Sequence, residues 1–274
     1  LVDEPTGFLI PKNNKAFSMT GQKIVNVGVL SLQGSYHEHI KHLQELFRQL
    51  NNDLKYSSKF KFFVKEIKTV DDLKDIQGLI FPGGESSTMS ILLQRTGLLE
   101  PIRELVQIKK TPVWGTCAGL ILLSNEIINT KIDLGDLKYK SIGGLNVQVQ
   151  RNSFGRQVDS FSEKFKLENF GDELKNTEFE CVFIRAPVIQ KIISPNKKNS
   201  NVEYDLVNGI VYGVQLVENF TAPEVLLTIE HNDHKMIVAV RQENILGTSF
   251  HPELVVDDYT FHKWFIDEFV LKSI

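Results

Sequence analysis

Val113-Trp114 reads as the end of a buried strand and Ala118 to Ser124 as an apolar run suited to a packed helix; between them lies Gly115-Thr116-Cys117-Ala118-Gly119. This is the cysteine counterpart of the Gly-x-Ser-x-Gly elbow. Glycines on both sides of the central position permit a strand-to-helix turn that a Cβ would obstruct. The turn presents the Cys117 thiol at a helix N-terminus, where the positive end of the helix dipole favours the thiolate, the attacking species. The next backbone N–H, that of Ala118, is then available to a developing oxyanion. The alternative is that Cys117 is a small buried hydrophobe, the commonest fate of a free cysteine.

Before the elbow, Lys23 to Leu32 is β-rich and apolar enough for a strand buried on both faces, ending at Gln33-Gly34. Ile40, Leu43, Leu46, Phe47 and Leu50 then recur at helical spacing, with Ser35 and Glu38 placed as a capping box. His37, His39 and His42 invite a metal reading, but helix geometry sets His37 off the face shared by the other two, and no Cys or Asp completes a set. Asn51 to Lys59 reads as a loop and Phe60 to Ile67 as a strand. A short strand, Gly78 to Phe81, runs into Pro82-Gly83-Gly84-Glu85-Ser86, where backbone amides can approach a ligand closely and Glu85 and Ser86 can contact it before a helix at Met89 to Gln94. Taken alone, that turn reads first as an ordinary strand-helix connection.

After the elbow, Leu145, Val147 and Val149 alternate with polar residues in a strand that delivers Arg151-Asn152 into a loop. Glu180 to Ile184 is a further strand, ending in Arg185. Its Cys181 reads as an inert strand residue. A hairpin is expected around Asn232-Asp233. The last strand, Leu246 to Phe250, ends in His251-Pro252-Glu253; in an extended tripeptide stiffened by Pro252, residues two apart point the same way, so Glu253 is placed to orient His251 as a general base. Phe261 to Val270 closes the chain as an amphipathic helix with Phe261, Trp264, Phe265 and Phe269 as its buried stripe. Strands alternating with helices indicate an α/β fold with a doubly wound, mostly parallel sheet, whose sites lie beyond the carboxyl ends of the strands.

The chain has 274 residues with 42% hydrophobic and 24% charged, and a net charge of −3 without charge blocks, so neither a nucleic-acid footprint nor a polybasic membrane patch is indicated. No apolar stretch approaches the roughly 18 residues that span a bilayer. Two distant cysteines argue against a disulfide framework and for a reducing, cytoplasmic setting. Residues 1–22 read as an extension outside the core, and 23–274 as one domain.

Several stretches narrow the reading: Leu32-Gln33-Gly34 with Glu38-His39, Pro82-Gly83-Gly84-Glu85-Ser86, Trp114-Gly115-Thr116-Cys117-Ala118-Gly119, Arg151-Asn152-Ser153-Phe154-Gly155-Arg156-Gln157, Phe183-Ile184-Arg185-Ala186-Pro187 and Phe250-His251-Pro252-Glu253-Leu254. Together they resemble the glutaminase subunit of pyridoxal 5′-phosphate synthase, the Pdx2/PdxT/SNO family of class I (triad) glutamine amidotransferases. The likeness runs from about Lys23 to the C-terminus. It departs from the family at Ser31 and Ser87, which replace Ala and Thr, and in extra length at the N-terminus, near Asn51 to Phe60 and around Pro195 to Thr221.

The resemblance implies a flavodoxin-like fold that hydrolyses L-glutamine to L-glutamate and ammonia without a cofactor or metal. It implies Cys117, His251 and Glu253 as the triad, Gly84 and Ala118 as oxyanion donors, and Gly84, Glu85, Ser86, Arg151, Ile184 and Arg185 around glutamine. The implied partner is the synthase (lyase) subunit of the Pdx1/PdxS/SNZ type, with Gln33 and Gly34 as the contact that reaches Gly84. A glutaminase of another amidotransferase, a γ-glutamyl peptidase and a non-catalytic regulatory subunit remain alternatives at the level of sequence.

Overall fold

The computed structural model describes residues 21–128, 133–134, 137–151, 160–193, 204–205, 210–216, 221–231 and 233–274. The expected N-terminal extension, apart from Gly21 and Gln22, lies outside the described residues, as do residues 152–159 after Arg151 and much of the 195–221 insertion. Strand β1 (Lys23–Leu30) leads to α1 (Tyr36–Leu50), the one-turn α2 (Leu54–Ser57), β2 (Phe60–Ile67) and β3 (Gly78–Phe81). Helices α3 (Ser86–Arg95) and α4 (Leu99–Gln107) precede β4 (Val113–Thr116), α5 (Ala118–Leu123) and β5 (Ser124–Ile128). Then come β6 (Asp133–Leu134), β7 (Leu137–Lys138), β8 (Leu145–Gln150), β9 (Phe161–Lys166), β10 (Glu178–Phe183), β11 (Val188–Ile192), β12 (Tyr204–Asp205) and β13 (Ile210–Tyr212). Strands β14 (Glu224–His231), β15 (His234–Gln242) and β16 (Ile245–Thr248) and helix α6 (Thr260–Phe265) complete the order.

Neighbouring strands β2, β1, β3, β4 and β16 are all parallel, and this order, 2-1-3-4 followed by the last strand, is that of a flavodoxin-like sheet. Side chains alternate across it. Val25, Val27, Val29, Ile80, Trp114 and Leu246 pack with α1 and α6, whereas Leu30, Leu79, Phe81, Val113 and Ile245 pack with α3, α4 and α5. Helices therefore cover both faces, and the doubly wound α/β fold is borne out. Beyond β16 the 12-stranded sheet continues in mixed sense: β15, β11 and β8 are successively antiparallel, while β5 runs parallel to β8. Strands β9 and β10 pair with each other outside the main sheet.

Three local expectations change. Asn51 to Lys59 is not all loop: Asp53 accepts from the Lys55 N–H at 2.9 Å and starts α2, whose Tyr56 is buried. Helix α3 starts at Ser86 rather than Met89, because Glu85 caps it. The closing segment keeps its buried stripe but is not one α-helix; α6 passes into a π turn at Ile266–Val270 and a 3-10 turn at Leu271–Ser273. Among the described residues no helix is long and apolar enough to cross a membrane.

Candidate active site

Cys117 stands between β4 and α5 with φ 47° and ψ −100°, a conformation strained for any residue with a Cβ. Its N–H donates to the Thr248 carbonyl at 2.8 Å, tying the elbow to the end of β16. Gly119 lies so close to β3 that a Cβ there would sit 2.2 Å from the Phe81 carbonyl oxygen, which is why the elbow needs a glycine at that point. The sulfur-bearing residue is 6% exposed and opens into a cleft of 420 Å³, within the usual range for small-molecule sites. Ala118 is fully buried as the first residue of α5, so only its backbone is available.

His251 follows β16, and its ring Nδ1 lies 2.8 Å from Glu253 Oε1. The contact is as expected, but its geometry is not. Pro252–Leu254 form a 3-10 turn, which folds the carboxylate back onto the ring instead of holding an extended tripeptide. His251 Nε2 is buried with no hydrogen-bond partner among the described residues, and His251 lines the cleft with Cys117. Burial opposes charging this ring, yet the nearby Cys117 and Glu253 and the bond to Glu253 raise its pKa well above 6.5. Burial also works against ionised Glu253. The facing His39 and His251 rings, with the bonds from His251 and Ser35, still hold its carboxyl down at about 2. Both shifts favour an imidazolium held on a carboxylate.

Two loops meet beside it. The Ser35 N–H donates to the Gly83 carbonyl at 3.0 Å, and the Glu85 N–H donates to Gln33 Oε1 at 2.9 Å. Gly34 is exposed with φ 89°, and a Cβ on it would lie 1.8 Å from the Gly83 oxygen, so only glycine allows the loops to touch. Gly84 has φ 154°. Ser35 is not a helix cap: its hydroxyl makes no capping bond to α1 and instead donates to Glu253 Oε1 at 2.6 Å, a charge-assisted bond stronger than the cap it replaces.

The remaining expected residues form the opposite rim. Glu85 accepts from the Ser87 and Thr88 N–H groups at 3.1 and 2.6 Å and from Arg151 Nη2 at 2.8 Å. Burial pushes its carboxyl up, but those bonds outweigh it and the pKa is lowered. Ser86 is 3% exposed, its hydroxyl without a hydrogen-bond partner among the described residues. Ile184 and Arg185 line the cleft after β10, and Arg185 is exposed, with φ 47°. Its side chain has no ion pair among the described residues. Gln33, Gly84, Glu85, Ser86, Cys117, Arg151, Ile184, Arg185 and His251 all line this cleft, whereas Gly34, Ala118 and Glu253 are not part of its lining. Sequence reasoning did not place Ser35, Ile121 or Leu254 there; Leu254 adjoins the His-Pro-Glu run and Ile121 is one turn after Cys117, so adjacency was the available signal. Cys181 is buried in β10, and burial pushes its thiol up, as fits an inert position.

The SNO glutamine amidotransferase family matches residues 29–225 and 205–271 of the chain. The chain is 40% identical over 253 residues, 92% of its own length and 96% of the relative's, to pyridoxal 5′-phosphate synthase subunit SNO1 of Saccharomyces cerevisiae. It is 34% identical over 248 residues, 90% of its length and all of the relative's, to pyridoxal 5′-phosphate synthase subunit PdxT of Staphylothermus marinus. A crystal structure of a glutamine amidotransferase superposes with a TM-score of 0.60 at 32% identity, covering 88% of this chain and 97% of that one.

Proposed function

The chain belongs to the SNO glutamine amidotransferase family, and from that premise we propose that Cys117, His251 and Glu253 form the triad of a glutaminase subunit of pyridoxal 5′-phosphate synthase. The enzyme hydrolyses L-glutamine to L-glutamate and ammonia. Cys117 Sγ attacks the side-chain amide carbon, and the Ala118 and Gly84 N–H groups receive the oxyanion. As the tetrahedral intermediate collapses, the C–N bond breaks and His251 gives its proton to the departing ammonia. The γ-glutamyl thioester is then cleaved by a water whose proton His251 takes, releasing glutamate and restoring the Cys117 thiolate beside protonated His251. The observation that carries this reading is the meeting, in one cleft, of an elbow cysteine with a histidine whose far nitrogen is bonded to a buried carboxylate at 2.8 Å.

Ammonia released into bulk water at neutral pH is mostly protonated and useless as a nucleophile. The ammonia is therefore handed directly to a synthase subunit of the Pdx1/PdxS/SNZ type for vitamin B6 synthesis in the cytoplasm. Gln33 and Gly34 form the contact that sets Gly84. The bonds from Ser35 to the Gly83 carbonyl and from Glu85 to Gln33 support this coupling, since a shift of one loop moves the peptides of the other. Misplacing one oxyanion donor costs about 100- to 1,000-fold in rate.

The test measures glutamine hydrolysis by the wild type and by Gln33→Ala, each with and without the synthase subunit, with Cys117→Ala as reference. Hydrolysis abolished in Cys117→Ala, stimulated by the partner in the wild type and weakly stimulated in Gln33→Ala, is expected. Equal rates in the four assays would sink partner gating but leave the glutaminase; hydrolysis surviving in Cys117→Ala would sink the mechanism.

A further inference from the structure

Behind the triad carboxylate lies a group of buried imidazoles that the reaction above leaves unused: His39 and His42 of α1 and His262 of α6. Glu253 spends one oxygen twice, since Oε1 accepts from both Ser35 Oγ and His251 Nδ1 at 2.6 and 2.8 Å. Its other oxygen, Oε2, is buried and has no hydrogen bond among the described residues. The group facing it is His39 Nε2, at 3.4 Å. The same nitrogen is 3.2 Å from Thr116 Oγ1, on the residue before the nucleophile. His39 thus stands between the chain that delivers Cys117 and the carboxylate that orients His251.

The tautomer follows from the next contact. His39 Nδ1 and His262 Nε2 are 2.9 Å apart, so one hydrogen lies between them. If it belonged to His39, the His39 Nε2 lone pair would face the Glu253 carboxylate, and neutral His262 would carry a buried Nδ1–H with no acceptor among the described residues. If it belongs to His262, His39 keeps its hydrogen on Nε2, which donates to Thr116 Oγ1 at 3.2 Å and presents its positive edge to Oε2 at 3.4 Å. The unpartnered atom is then only a lone pair on His262 Nδ1. The second arrangement leaves no buried imidazole N–H unmet and removes the repulsion from the carboxylate, so it prevails.

We propose that His39, locked in its Nε2–H tautomer by His262, is a positioning residue of the triad that steadies the outer oxygen of Glu253 and so fixes the plane in which His251 is held. The inference rests on the glutaminase reading of the cleft. Burial, reinforced by the neighbouring His42 and His251, drives the His39 pKa down to about 4 against the pull of Glu253 and Glu38. Burial also drives His262 well below its ordinary value, with His39 and His42 adding to the effect. Both rings are neutral where the enzyme works. A neutral donor holds the carboxylate without placing a second cation beside the His251 imidazolium. Trp114 walls the pair in, edge-on to His39 at 5.4 Å and to His262 at 5.0 Å between ring centroids.

The experiment uses the full chain with its synthase partner, and counts active sites by labelling Cys117 with a thiol-directed glutamine analogue. In His39→Leu, kcat per labelled site is expected to fall roughly tenfold to a hundredfold, the usual worth of a group that orients a working side chain. KM for glutamine should stay within about twofold, because His39 does not line the cleft. His39→Gln, whose amide N–H reaches the place of Nε2–H, should recover most of the loss. His262→Leu should show a smaller loss, and adding it to His39→Leu should change nothing further, since His262 acts only through His39. A merely structural role would lower the labelled fraction or the melting temperature and leave kcat per site unchanged; that result, or equal losses in the Leu and Gln variants, overturns the proposal. Failure of Cys117 to label in the wild type would instead strike at the glutaminase reading itself.

Discussion

The wall of the cleft bearing Cys117, His251 and Glu253 rises from the adjacent parallel strands β4 and β16 and is 6, 6 and 2% exposed. The facing wall, with Arg151, Ile184 and Arg185, comes from the ends of β8 and β10, and its Arg185 lies open to solvent. On the first wall each charge has a fixed partner at close range in a dry setting, where electrostatic interactions are strong and need no reorganisation. On the second, Arg151 is held on Glu85 at 2.8 Å but the Arg185 guanidinium is wet, which suits a group that must admit and release an amino acid with a charged end. On the proposed mechanism the difference separates chemistry from recognition, and the variants below set one wall against the other.

The largest effects fall on the dry wall. With the synthase partner present, His251→Asn removes the group proposed as both acid and base and should lower glutamine hydrolysis close to the level of Cys117→Ala. Glu253→Gln keeps the ring but loosens its orientation and its charge, and kcat should fall about 10³- to 10⁴-fold. Steady-state kinetics should place both losses in kcat. A raised KM with normal kcat for Glu253→Gln would mean that the two walls do not divide the work.

The same division governs what the sequence disclosed. The elbow, the Gly83-Gly84 turn and the His-Pro-Glu run each follow a short apolar strand, so local chain direction placed them at one sheet edge. Tertiary demand was less legible. Ser35 has the local pattern of a helix cap, but a buried carboxylate 218 residues later takes its hydroxyl. The His39–His262 bond spans 223 residues, and nothing in the spacing of the α1 histidines announces it. Strands β1 to β4, β8, β10 and β14 to β16 were read where runs were apolar or alternating, whereas β9 and its exposed, charged sequence Phe-Ser-Glu-Lys-Phe-Lys carried a weak pattern. Helix α4 also went unread, although Leu99, Ile102, Leu105 and Val106 are spaced for one buried face.

A middle-sized effect concerns stability. His39 titrates at about 4 when folded against 6.5 as a free side chain. Between these values the unfolded chain binds a proton that the native ring does not, so the contribution is fully present above pH 6.5 and is lost as the pH falls through 4. Over that window the loss is about 3 kcal/mol. Glu253, held at about 2, adds its own loss only below its ordinary 4.5. Urea unfolding at pH 7 and pH 4 should therefore show the wild type losing more stability than His39→Gln by about that amount, while Arg185→Ala should track the wild type. Equal losses for wild type and His39→Gln would mean that the dry wall does not hold a neutral histidine.

The smallest effects belong to the wet wall. L-Glutamine brings an ammonium and a carboxylate, and the rim offers one carboxylate, Glu85, and the guanidiniums of Arg151 and Arg185. Removing a buried charged partner costs about 2–5 kcal/mol of binding. Exposure reduces that figure here, and Arg185→Ala should raise KM only about tenfold with kcat unchanged. Glu85→Ala should raise KM comparably, and it should also cost about 1 kcal/mol of stability, because the same carboxylate caps α3 through Ser87 and Thr88. Glu85→Ser, which keeps a cap acceptor and discards the charge, separates the two roles: it should restore the stability but not the KM. If KM stayed at the wild-type value in both Arg185→Ala and Glu85→Ser, the rim would not be the wall that reads the amino acid, and recognition would have to lie with the buried residues after all.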